Sequence, residues 1–229
     1  MLNTELLPAQ VVFLQNPKKL KINEALSFVI RDLIIRRVLT LHKKRIFPND
    51  RSRKTQKYTH LSKDINFLNY EAAVFEKNFL SPFSDVRNIQ LKILSNFVLK
   101  RYSMPSAYIK SKLLQPLREL GYITNIPILK SFGVYSLTTK AKELVSEFEQ
   151  IIDQYEQRFT SLIDGDKEEF YNAVKEIGTY IFIFEHKNPE LYKDIESMIR
   201  RIFITKPLGP DKDLNEYFQA MTVDFGFHE

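Results

Sequence analysis

The sequence predicts a mainly α-helical fold with short β-hairpins, an α+β class in which two helix-then-hairpin units stand in tandem ahead of a helical C-terminal region. Three observations carry this expectation. Apolar residues recur at helical spacing over long stretches, most clearly at 24–42 and 138–159. Twice such a stretch gives way to two β-prone runs around a polar, turn-forming loop, at 43–61 and at 122–137. The 229 residues are 44% hydrophobic and 27% charged, which supplies a core while leaving a charged surface.

Taken in order, residues 4–15 (TELLPAQVVFLQ) predict a short helix or apolar arm, broken by Pro17 and two lysines. Asn23 is placed to cap a helix from Glu24 to about His42, with Leu26, Val29, Ile30, Leu33, Ile34, Val38 and Leu41 on its apolar side. Lys43 to Phe47 begins a strand, Pro48-Asn49-Asp50 turns, RSRKTQK forms a basic loop, and Tyr58 to Leu61 returns. The outline is that of a wing. Asn69 to Leu80 predicts a further helix with Ala73, Val74, Phe79 and Leu80 inward, ended by Ser81-Pro82. Asp85 is placed to cap a helix running to about Arg101 through Ile89, Leu91, Ile93, Leu94, Phe97 and Val98. Met104-Pro105-Ser106 opens another, to Leu120, with Ile109, Leu113, Leu117 and Leu120 along one stripe and Gly121 as its stop. Runs 122–129 and 134–137 make the second hairpin, around Lys130-Ser131-Phe132-Gly133.

Thr138 starts a long helix. Asp164-Gly165-Asp166 turns, and Lys167 to about Glu185 predicts a helix, although Tyr180 to Phe184 has strand propensity. Helix is preferred there because no strand partner is evident. Asn188-Pro189-Glu190 starts an amphipathic helix to Phe203, and Leu208-Gly209-Pro210 closes the ordered core. The acidic, aromatic tail beyond it is either a docking segment for a protein partner or a packed terminus holding Tyr217, Phe218, Phe225 and Phe227. The expected division is 1–66 (helix plus basic hairpin), 67–159 (second helix–hairpin unit with its long following helix) and 160–229 (acidic helical region and tail), packed into one body.

The overall charge of +6 conceals a gradient. Residues 1–17 carry a net −1, 18–63 carry +11, 64–140 carry +5 and 141–229 carry −9. A basic front of this kind attracts nucleic acid, an anionic membrane surface or an acidic protein. The acidic half can equally neutralise the basic half, within the fold or across a dimer. Lys43, Lys44, Arg45, Arg51, Arg53, Lys54 and Lys57 lie within 15 residues and are opposed only by Asp50, enough to neutralise several phosphates. In the second unit Lys110, Lys112, Arg118 and Lys130 decorate helix and wing, while Ser106, Lys110, Ser111 and Gln115 fall off the apolar stripe. Pro116 argues against base-specific reading by that helix, because a proline removes a backbone hydrogen bond and kinks it. Backbone-only binding by the first hairpin is untouched by that objection. Leu144, Val145, Phe148, Ile151, Ile152, Tyr155 and Phe159 form a stripe along 141–159 that predicts homodimerisation.

LLQPLRELGYI at 113–123 followed by VYSLTTKAKEL at 134–144 resembles the end of a winged-helix domain of the MarR or PadR type: recognition helix, glycine, first wing strand, second wing strand, following helix. Winged helices also serve as protein-docking modules, so this resemblance implies the fold more than DNA binding. The order of LPAQVVFL, the helix NEALSFVIRDLIIRRVLTL and the unit at 69–137 is similar to the helical layout of the Golgi phosphoprotein family. That resemblance implies a non-enzymatic adaptor with a basic, phosphoinositide-binding surface. The family's head-group pocket uses a tryptophan with arginines, and this chain has no Trp, so the lipid specificity does not carry over and no pocket residue is transferred.

Catalytic chemistry finds little footing. With no Cys, disulfide scaffolds, thiol nucleophiles, iron–sulfur clusters and Cys-based zinc sites are excluded. His42, His60, His186 and His228 show no metal-ligand spacing, and six Gly offer no phosphate-cradling loop and no nucleophile elbow. The acid pairs Glu168/Glu169 and Asp211/Asp213 lie in charged, solvated stretches. The expectation is a non-enzymatic protein without metal or cofactor. The N-terminus shows no leading positive region or cleavage site, and the most apolar stretch, Ala25 to Leu41, is interrupted by Arg31, Asp32, Arg36 and Arg37. The expected location is the cytoplasm.

Overall fold

The computed structural model describes residues 6–15, 22–46, 55–100, 110–125, 135–205 and 213–223. It is mainly helical, with short antiparallel strands in two small sheets. The chain divides into two compact units, Met1–Ala25 with Met104–Met198, and Leu26–Ser103 with Ile199–Glu229. Among the described residues no helix is long and apolar enough to cross a membrane.

The second unit holds most of α2 (Ile22–Ile35) and a three-stranded sheet in the order β1 (Leu39–Ile46), β2 (Gln56–Lys63), β3 (Asn88–Gln90), antiparallel throughout. The helix expected to run to His42 stops at Ile35, and the strand begins four residues earlier than expected. Arg37 sits in the left-handed region at φ 57°. Its N–H bonds the Ile34 carbonyl and the Val38 N–H bonds Leu33, which is the Schellman closure of a helix. Val38, Leu39 and Leu41 are buried, so apolar residues shared by a helical and an alternating pattern feed the sheet instead.

Two further expectations are corrected in this unit. Residues 69–80 are not one helix: a 3-10 turn (Phe67–Asn69) and turns precede the short α3 (Lys77–Leu80), and Val74 is exposed. The buried Glu76 carboxylate accepts the Ala73 N–H at 2.8 Å and the Tyr70 hydroxyl at 2.9 Å, so side-chain bonding competes with the helical ladder. A 3-10 turn (Ser81–Ser84) follows, and 88–90 is strand β3, paired through Leu61↔Ile89, so α4 (Leu91–Lys100) starts after it. Phe79, Phe83, Leu91, Leu94 and Val98 join the α2 and sheet residues in the core.

Order does not end at Pro210, and of the two expectations for the tail the described part, 213–223, is a packed terminus. Helix α10 (Asp213–Met221) buries Tyr217, Ala220 and Met221 and packs on β1. Its Gln219 Oε1 accepts from the Leu41 N–H (2.9 Å) and the Thr40 hydroxyl (3.1 Å). Glu216 pairs with Arg37 at 3.2 Å, and the Phe218 ring lies under Arg200. Leu214, Tyr217, Phe218 and Met221 recur at helical spacing, a signal the acidic composition obscured. Phe225 and Phe227 lie outside the described residues.

In the first unit, α1 (Pro8–Gln15) forms as expected and packs on the long α6 (Thr139–Leu162). A π-helical turn (Lys110–Leu114) leads into α5 (Gln115–Glu119) at Pro116, whose missing N–H leaves the ladder open at the change of helix type. Gly121, φ 78°, ends it: its N–H bonds Arg118 and that of Tyr122 bonds Leu117, the same closure as at Arg37 but with the residue that adopts this backbone without strain. Leu113 and Leu117 are buried, whereas Leu120, assigned to the same stripe, is 40% exposed. β4 (Ile123–Asn125) and β5 (Tyr135–Leu137) pair antiparallel as expected, and the Thr138 hydroxyl caps α6 by accepting the Ala141 N–H.

Asp166 caps α7 (Lys167–Ile177), which ends at Gly178, φ 60°. A 3-10 turn (Gly178–Ile183), α8 (Phe184–Lys187) and α9 (Pro189–Thr205) follow. Tyr180 to Phe184 is thus helical, and all five residues are buried, which is why it lacks an amphipathic period. Phe148, Ile152 and Phe159 of the α6 stripe are buried within this unit; the Phe148 ring meets Tyr180, and the Phe159 ring meets Phe170 and Phe184.

Candidate polyanion interface

The basic hairpin becomes an exposed two-stranded ribbon. β1 and β2 pair from Leu39↔Lys63 to Ile46↔Gln56, but β3 reaches only His60, so residues 43–46 and 56–59 extend beyond the third strand. Alternation assigns the faces. Lys43 and Arg45 share the face on which Leu39 and Leu41 are buried, opposite Thr59 and Lys57; Lys44 is on the other face, opposite Tyr58. His42 stands opposite His60. Lys43, Lys44, Arg45 and Lys57 are all exposed.

Strand pairing also fixes where the backbone groups point. The Val38 carbonyl accepts from Asp64 on the β2 side, while the Leu41 N–H donates to Gln219 on the opposite side. By alternation Lys43 and Arg45 direct their N–H and C=O groups away from β2, so Arg45↔Lys57 is a non-hydrogen-bonded pair, the kind in which side chains approach most closely. Two cations thus stand directly across the ribbon from one another. Among the described residues none of the four bases has a carboxylate partner.

Bases in the first unit are treated differently. Arg158 binds Glu176 at 2.5 Å and lies 3.8 Å from Glu169. Lys187 binds Asp153 at 2.5 Å and also Glu156. Hydrogen bonds from Lys187 and Asn188 hold the Glu156 carboxyl below its ordinary range, and the bond from Arg158 does the same for Glu176. These acids are occupied by cations of their own unit, where such exposed pairs add little stability.

A like-charged pair directly opposite costs stability. Arg45→Glu should therefore stabilise the protein, by a few tenths to about 1 kcal/mol, while weakening its hold on polyanions. Denaturant titration and an anion-binding assay read the two effects. A loss of stability would mean that the Arg45–Lys57 repulsion is not felt.

The other predicted contacts are scattered. Arg51, Arg53, Lys54 and Lys130 lie outside the described residues. Lys110 and Lys112 are in the π-helical turn, and Arg118 is exposed on α5. Gln115 is engaged by Glu119 at 3.0 Å, on the same helix. Sequence reasoning found the ribbon bases but missed the cross-strand registration, which needs the pairing, and missed Gln219, whose role depends on a helix distant in sequence.

Among the described residues no group of three or more His, Asp or Glu side chains is arranged to hold a metal ion. An open groove on α6 is lined by Asp153, Glu156, Gln157, Thr160 and Ser161, and its two carboxylates already hold Lys187. The buried Glu76 is committed to Tyr70 and Ala73. No family model matches the chain, and neither a curated protein nor a solved structure matches it.

Proposed function

We propose that this protein is a non-enzymatic binding module of the cytoplasm, built on two winged-helix-like units, whose β1–β2 ribbon contacts a polyanion, most simply the phosphate backbone of a nucleic acid. The observation that carries the reading is the Arg45↔Lys57 pair: two exposed cations held directly opposite one another, with Lys43 beside them and no carboxylate partner among the described residues. A phosphate seated between them relieves the repulsion and releases counterions. A two-stranded ribbon also has the width that a major groove admits. No cofactor or metal enters this reading.

The test is a salt titration of binding to duplex DNA. Replacing Lys43, Lys44, Arg45 and Lys57 together by alanine should weaken binding and lower the slope of log K against log salt by about 3 to 4. Changing Arg51, Arg53 and Lys54 as well should lower it further. An unchanged slope, or no binding at low salt, overturns the reading.

A second reading, a peripheral membrane or protein adaptor, is favoured by one observation: Ile65 and Leu68, in the same unit as the ribbon, are 68% and 87% exposed. Preference for anionic vesicles over duplex DNA would select it. The homodimer expected through 141–159 and a protein partner for the C-terminal tail stand as further proposals, checked by sedimentation of the whole chain.

A further inference from the structure

The outward side of β1 offers something other than charge. Among the described residues β1 is an edge strand, and α10 meets its rim at Leu41, where the Gln219 amide oxygen takes the outward N–H. Beyond that point, among the described residues, no strand or side-chain amide meets the outward groups of Lys43 and Arg45. These two residues repeat an N–H donor and a C=O acceptor about 7 Å apart along the rim. Such an edge is a template for another strand.

The chemistry of the rim narrows the occupant. A phosphate backbone accepts hydrogen bonds but gives none to the carbonyls, so it satisfies half of the pattern; an extended peptide satisfies both halves. A second copy of β1 would bring Lys43, Lys44 and Arg45 against their own like, which cross-strand pairing penalises. Opposite charges across neighbouring strands are favourable. We propose that the rim of β1 from His42 to Arg45 takes an extended, acidic segment of a protein partner as an added strand, continuing the edge that Gln219 leaves open. The inference rests on backbone groups and is independent of nucleic acid binding, although the two ligands would share the ribbon's bases and compete.

The experiment compares Lys43→Pro with Lys43→Ala. Both remove the same charge. Proline also removes the outward N–H, and because that group faces away from β2 the β1–β2 ladder keeps its bonds. The probe is a capped peptide of alternating glutamate and threonine, with one of alternating glutamate and proline as a charge-matched partner that cannot pair as a strand. The expected results are binding of the first peptide only, slowed amide exchange at Lys43 and Arg45 in the wild-type protein on binding, and affinity at least about tenfold weaker for Lys43→Pro than for Lys43→Ala. Duplex DNA binding should fall equally in both variants. Equal peptide affinity of the two variants, equal binding of the two peptides, or unaltered exchange at Lys43 and Arg45 each overturns the proposal. The exchange measurement stands even where the proline variant loses the ribbon.

Discussion

Phe159→Ala is expected to lower unfolding stability by about 3–5 kcal/mol, a large share of the ~5–15 kcal/mol that holds a typical domain folded. The side chain is fully buried on α6, and its ring meets Phe170 of α7 at 5.6 Å and Phe184 of α8 at 6.0 Å, both edge-to-face, and Tyr155 one turn earlier at 6.1 Å. Truncation removes apolar area and the edge-to-face contacts together, and it leaves a cavity walled by three separate helical segments. Those walls cannot all close inward, because Phe170 and Phe184 are themselves fully buried and packed. The measurement is the urea midpoint at constant m-value. Ile93→Ala, at a residue 56% exposed, should change stability by less than about 0.5 kcal/mol and serves as the comparison. A loss below about 1 kcal/mol for Phe159→Ala would mean that the cluster is not a single packed unit.

Phe159 was also legible in the sequence, as one member of a regular stripe, and the long helix that bears it begins at its expected residue with Thr138 as cap. Local signals of this kind survived: Gly121, Asp166 and Asn188 all stop or start helices where their chemistry requires. What did not survive depended on distant partners. Val38 to Leu41 suits a helix or a strand, and pairing with residues 61–63 decides. Asn88 to Gln90 lies in a stretch with helical spacing, yet it pairs with 60–62. The rule that helices end in glycine missed Arg37, whose left-handed backbone is accompanied by an ion pair to Glu216, far along the chain. For the candidate interface, composition identified the basic segment, but only the register sets Arg45 against Lys57, and only the alternation beside Gln219 shows which backbone groups face outward.

The same dependence on distant groups makes Glu76→Ala the second large effect. Glu76 is 1% exposed, and both its oxygens are in use: Oε1 accepts from the Tyr70 hydroxyl and Oε2 from the Ala73 N–H. Tyr70 accepts in turn from Arg36 at 3.2 Å, and Arg36 binds the buried Asp32 at 2.9 Å. Removing the carboxylate strands an amide and a hydroxyl and takes one of two anions from Arg36. The expected loss is about 3–5 kcal/mol, with Glu76→Gln, which keeps an acceptor, losing less. Alkaline titration separates this network from simple packing. Burial, foremost, and then the charge and hydrogen bond of Glu76 push the Tyr70 phenol well above its ordinary range, against the opposing pull of Arg36. In the unfolded chain that phenol ionises near pH 10, while in the folded protein it keeps its proton to higher pH. Its stabilising contribution is therefore complete below about pH 10 and falls as pH rises beyond it, since the unfolded state then holds fewer protons than the folded one. Tyr70→Phe should flatten this alkaline decline, and Glu76→Gln, which removes the neighbouring charge, should make it shallower. A decline of the same steepness in all three proteins would place its origin elsewhere, for instance in Tyr135, whose phenol burial also raises.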